Sequence, residues 1–299
     1  MERRPLGKTG LEVSVLGFGA AEIGFESTSP ADVERLINSA LDAGLNVIDT
    51  AECYVDSEEK VGNAVSHRRG DYHLFTKVGH PEGIGGPEDW SRDGILFSIE
   101  RSLQRLRTDH LDLVQLHSCS AEILERGEAI QALQDARAKG QTRFIGYSGD
   151  GHAALTALQS GAFDTLQTSV SIADQEAITL TLPTAAASGV GVIAKRPIAN
   201  AVWRHAEKPA NEYHHAYWER LRALKYDFLS REMAAAVSIA LRFTLAQPGV
   251  ATAIVGTTNP SRWIENAELL DEGPLSLHDV NAIREVWHST AKLDWTGQV

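Results

Sequence analysis

Asp49, Tyr54, Lys77 and His117 are the residues whose types and positions could move a proton to or from a carbon-bound oxygen. Asp49 closes the apolar run VID, Tyr54 lies in the turn AECYVDSEE that follows, Lys77 ends LFTK, and His117 ends LVQLH. A phenol with an ordinary pKa of about 10 is a poor acid or base near neutrality. A neighbouring ammonium favours its ionised form, and a carboxylate on the adjacent strand would keep that ammonium charged and in place. Lys77 and Asp49 suit those parts. The imidazole of His117 could donate a hydrogen bond to a substrate oxygen and stabilise negative charge developing there. This division of labour suits the reduction of a carbonyl. A strand-end lysine beside a carboxylate would also suit a Schiff-base aldolase, with Lys77 as the nucleophile, although Tyr54 has no evident place in that chemistry.

Such residues converge only if successive strands end on one rim. Short runs rich in Val, Ile and Leu recur along the chain, at VLGFGA, LNVIDTA, HLFTKVG, LDLVQLH, TRFIGYSG, TLQTSVS, GVGVIAKRPI and TAIVGTT. Longer segments with helical spacing separate them, which predicts parallel strands joined by crossover helices. About eight such units predict an α/β fold, a single (β/α)8 TIM barrel spanning residues 1–299, with catalytic groups at the C-terminal strand ends. SPADVERLINSALDAG reads as a helix capped by Ser29, with Pro30 in its first turn and Gly44 at its end. SIERSLQRL, ILERGEAIQALQDARAKG and the segment from Ser230 to Gln247 carry the same amphipathic spacing. The longest irregular stretch, Pro197 to Asn211, is placed over the barrel mouth. In GFGAAEIG, Gly17 and Gly19 read as packing or close-approach glycines, because an isolated glycine pattern of this kind is a weak nucleotide signal.

Composition narrows the partner. The chain has 299 residues, 43% hydrophobic and 23% charged, with a formal net charge of -12. That charge opposes binding to nucleic acid or anionic lipid and leaves a small molecule as the expected partner. No run of about 18 apolar residues suggests a membrane span, and two cysteines, Cys53 and Cys119, offer no disulfide framework, so a cytoplasmic location is expected. Oligomeric state is not readable. Both thiols are placed near the catalytic rim, where packing is the plain reading and redox control the sharper one. His214 and His215 are adjacent, so they point different ways on a helix and no metal is expected. Trp203, Tyr213 and Tyr217 are read as lid or helix-packing residues.

The stretch GLNVIDTAECYVDSEEKVG, with FTKVG and LDLVQLH, resembles the aldo-keto reductase signature. The likeness runs from RPLGKTGLEVSVLGFGA through SLQRLRTDHLDLVQLH to ATAIVGTTNPSRWIENAELL. It implies a barrel with an N-terminal β-hairpin, the tetrad Asp49, Tyr54, Lys77 and His117, and hydride transfer from NADP(H) to a carbonyl carbon while the tyrosine supplies the proton. A nicotinamide-binding regulatory subunit of the same fold, with little turnover, is the second implication.

The resemblance also implies a cofactor site at the later strand ends, with departures. Ser148 and Gln167 match positions that hold the nicotinamide carboxamide, while Gly149 stands where the family has asparagine. Lys195 and Arg196 stand where many relatives place an aromatic stacking platform. Thr257, Arg262 and Asn266 match positions that grip the adenosine end, and Gly256 replaces a common lysine. TNPSRW reads as a helix start favourable to phosphate, where Arg262 could fork onto a 2'-phosphate. The plainer alternative pairs Arg262 with Glu265 on a surface helix.

Overall fold

The computed structural model describes residues 1–80 and 89–298. An antiparallel hairpin of β1 (Arg3–Pro5) and β2 (Glu12–Ser14) leads the chain. The eight apolar runs then become β3 (Leu16–Gly19), β4 (Val47–Asp49), β5 (His73–Val78), β6 (Leu111–His117), β7 (Thr142–Ser148), β8 (Thr165–Ser169), β9 (Gly191–Lys195) and β10 (Val250–Gly256). All are parallel, each pairs with its neighbour in sequence, and β10 pairs with β3 to close the barrel.

The surrounding helices are α1 (Ala21–Phe25), α2 (Pro30–Asp42), α3 (Ser57–Val65), α4 (Arg92–Leu106), α5 (Ala121–Arg126), α6 (Glu128–Ala138), α7 (Gly151–Gln159), α8 (Glu176–Leu180), α9 (Leu182–Ser188), α10 (His215–Leu224), α11 (Met233–Leu245), α12 (Arg262–Glu268) and α13 (Leu277–Thr290). Helix α2 starts as its sequence demands: Ser29 Oγ accepts from the Asp32 amide at 3.1 Å and Pro30 takes the first helical position. It buries Val33, Leu36, Ile37, Ala40 and Leu41, and Gly44 beyond its end adopts φ 100°. The segment ILERGEAIQALQDARAKG is two helices rather than one. Gly127, at φ 76°, ends α5 and begins α6, a left-handed conformation that glycine adopts without steric cost.

The barrel's two ends differ in chemistry. At the N-terminal end Leu6, Leu11 and Val13 of the hairpin region pack with Val47, Phe75, Leu113, Ile193, Ala251 and Ile254, forming an apolar floor. Gly17 and Gly19 lie against Ile254, whose side chain would sit 2.5 and 2.8 Å from a β-carbon at those positions, so packing is what they serve. The polar strand-end residues gather at the opposite, C-terminal rim. Beyond β9 the irregular stretch contains a short 3-10 segment, Ala199–Arg204, in which Ala199, Asn200 and Ala201 have φ of 45°, 54° and 48°. Left-handed non-glycine residues of this kind are held by their surroundings and concentrate at functional loops.

Candidate active site

β4 and the turn after it, β5 and β6 bring Asp49, Tyr54, Lys77 and His117 to one side of the rim. Lys77 Nζ donates to Asp49 Oδ2 at 2.6 Å and to the Thr50 carbonyl at 2.8 Å, and both side chains of the pair are nearly sealed from solvent. The same ammonium lies 5.0 Å from the centre of the Tyr54 ring. The His117 ring stands edge-on to Tyr54 with centroids 5.7 Å apart. Tyr54 and His117 are half-buried, so the ion pair lies beneath and the two groups able to meet a substrate lie above.

Burial alone would lower Lys77, but Asp49 and Tyr54 outweigh it and hold the ammonium above its usual pKa. His117 is pushed well below its usual value, first by burial and then by the Lys77 charge, so its imidazole is neutral. Tyr54 corrects the sequence reading. Burial pushes the phenol up and outweighs the pull of Lys77, so the group is a protonated phenol, a donor in waiting rather than a phenolate. His117 Nδ1 lies 3.4 Å from Cys53 Sγ. Burial also pushes the Cys53 thiol up to about 11 and Cys119 up to about 12, which makes both poor thiolates and favours the packing reading of each.

Glu52 has no counterpart in the sequence reading. It is buried, its Oε1 accepts from the Gly79 and His80 amides at 2.7 and 2.8 Å, and its Oε2 pairs with Arg101 at 2.7 Å. It thereby ties the turn bearing Tyr54 to the end of the strand bearing Lys77. Its apolar neighbourhood in sequence, TAEC, offered no signal beyond an acidic residue two before Tyr54.

The rest of the rim comes from β7 to β10. Ser148 and Gln167 face each other across paired strands, both buried, with Ser148 Oγ donating to Gln167 Oε1 at 2.9 Å. This hydroxyl and amide fit the carboxamide of a nicotinamide, which offers both a donor and an acceptor. Gly149 is explained by the residue two before it: a β-carbon there would sit 2.6 Å from the Tyr147 hydroxyl, and that buried ring is fixed by a 2.8 Å bond to the Cys119 carbonyl.

Lys195 and Arg196 form no stacking platform. Lys195 pairs with Asp150 at 2.8 Å, while Arg196 donates to Tyr213 Oη at 2.6 Å and to Ser169 Oγ at 3.1 Å. Both also donate to the Gln298 carbonyl, which lays the chain's last described residues across this side of the mouth. Tyr213 therefore belongs to the rim, whereas Tyr217 is buried and donates to Asp174 at 3.0 Å. Asp150, like Glu52, is a partner that its distance in sequence concealed.

On the β10 side, Arg262 is half-exposed at the start of α12 and pairs with Glu265 at 2.9 Å, as the plainer reading had it. Asn266 is buried on the same helix, and Thr257 Oγ1 accepts from the Asn259 amide at 3.1 Å. Gly256 is overlaid by the carboxyl of Glu22, which occupies the space a β-carbon would take.

A closed eight-stranded parallel barrel with an N-terminal hairpin floor and this rim defines an oxidoreductase class, and the profile of the Aldo/keto reductase family matches residues 15–288. The chain belongs to that family. It is 30% identical to the L-galactose dehydrogenase of Arabidopsis thaliana over 289 residues, covering 91% of this chain and 89% of the relative. It is 26% identical to the D-threo-aldose 1-dehydrogenase of a Pseudomonas species, covering 87% and 90%. Among solved structures it resembles the holo form of the aldo-keto reductase AKR11C1 from Bacillus halodurans, with a TM-score of 0.84, 28% identity and 96% of each chain covered. Among the described residues no helix is long and apolar enough to cross a membrane.

Proposed function

We propose that this chain interconverts a carbonyl and an alcohol with NADP(H), with Tyr54 as the general acid and base. The observation that carries this is the stacked order of the site: a buried Asp49–Lys77 pair beneath Tyr54, and a neutral His117 beside it. When bound, the cofactor supplies or takes up the hydride at the carbonyl carbon. Tyr54 donates its phenolic proton to the carbonyl oxygen, and Lys77, charged throughout, stabilises the phenolate left behind. Asp49 holds that ammonium in place. A neutral imidazole has one N–H, and His117 uses it to orient the same oxygen. Ser148 and Gln167 would hold the carboxamide, and Thr257, Arg262 and Asn266 the adenosine end.

The aldolase alternative needs a free amine at Lys77, and an ammonium held by Asp49 and the Thr50 carbonyl is the wrong form. Because relatives are named as dehydrogenases of L-galactose and of threo-aldoses, aldoses head the substrate panel, followed by simple aldehydes and ketones. The test is nucleotide binding by fluorescence titration together with turnover of that panel. The reading expects Tyr54→Phe to bind NADPH as the wild type does and to lose roughly 10²- to 10⁴-fold in turnover. Binding without turnover in the wild type would instead favour a regulatory subunit, and no binding of either nucleotide would overturn the reading.

A further inference from the structure

Helix α1 follows directly from β3 at the rim; Glu22 lies in its first turn, and Glu26, extended, caps its C-terminal end. Both are turned toward the loop after β10. The Glu22 carboxyl lies over Gly256, and Glu26 Oε2 accepts from Thr258 Oγ1 at 3.0 Å. Glu26 thus has a partner across the gap. Among the described residues Glu22 forms no ion pair, while withdrawal from water and the neighbouring Glu26 push its carboxyl up. A carboxylate drawn from solvent without a cation is costly and is retained where it meets something else. It sits at the strand end where the family's common lysine is replaced by Gly256, so this corner of the rim has exchanged a cation for an anion.

We propose that Glu22 is the residue that sets the choice between the two nicotinamide dinucleotides. This rests on the reading of the barrel mouth as a dinucleotide site. A carboxylate accepts hydrogen bonds from a ribose diol and repels a phosphate dianion, the same opposition by which acidic residues and arginines sort these cofactors in other nucleotide-binding folds. Arg262, already shared with Glu265, draws the 2'-phosphate, and Glu22 opposes it. The consequence is a narrow preference: NADPH and NADH bind within about tenfold of one another, in contrast to a site with cations alone.

The experiment is a titration of NADPH and NADH, followed by protein fluorescence, on the wild type, Glu22→Gln, Glu22→Asp and Arg262→Ala, at low and high salt. Glu22→Gln, which keeps the shape and removes the charge, is expected to tighten NADPH by about tenfold while leaving NADH unchanged or slightly weaker. The gain should shrink as salt is added. Glu22→Asp should behave as the wild type, and Arg262→Ala should reverse the preference toward NADH. Equal shifts for both nucleotides in Glu22→Gln, or none, would overturn the role of Glu22 while leaving the dinucleotide reading intact. A wild type that binds neither nucleotide overturns both.

Discussion

The ammonium of Lys77 and the carboxylate of Asp49 meet at 2.6 Å beneath the barrel rim, with the Lys77 charge also taken up by the Thr50 carbonyl. Taking both charges out of water is expensive, so the pair is worth more intact than either half alone. Asp49→Asn should therefore cost about 3–5 kcal/mol in urea unfolding, and Lys77→Met a similar amount. The double variant should be less destabilised than the sum of the two singles, because it leaves no unpaired charge. Additive losses would show that the two groups are not coupled.

His117 gives a pH signature. Its folded pKa is depressed by burial and by Lys77, whereas in the unfolded chain it titrates near 6.5. Below that value the unfolded state takes up a proton that the folded state refuses, so stability is full above about pH 6.5 and falls as the pH is lowered through it. One such group contributes a slope of at most about 1.4 kcal/mol per pH unit. Urea midpoints at pH 7 and pH 5 should fall further for the wild type than for His117→Gln, and identical falls would contradict a neutral His117 in the folded state.

Gly149 should resist restoration to the family's asparagine. The Tyr147 hydroxyl and ring lie where the new β-carbon would go, and that ring is buried and bonded to the Cys119 carbonyl. Gly149→Asn should lower stability by about 1–3 kcal/mol, as overpacking does. It should also fail to tighten NADPH. A variant that melts like the wild type and binds the nucleotide better would show that Tyr147 yields.

The sequence by itself determined the eight strands, because each is a short, largely apolar and mostly buried run bounded by turn residues, a pattern that is local. It also named Asp49, Tyr54, Lys77 and His117, since strand ends are readable and a parallel barrel sends all of them to one rim. The cap of α2 was equally local. What lay outside its reach was every property that depends on which distant groups become neighbours. Gly127 splits a helix whose spacing reads as continuous. Tyr54 is pushed up rather than down because burial, a sum over the whole surrounding fold, outweighs one nearby charge. Lys195 and Arg196 meet Asp150 and the carbonyl of Gln298, from more than 40 and about 100 residues away in the chain, and Glu22 comes to lie over Gly256 only when β10 closes against β3. Residue type and spacing fix local conformation, whereas electrostatics and partner choice follow from distances that exist only once the barrel is closed.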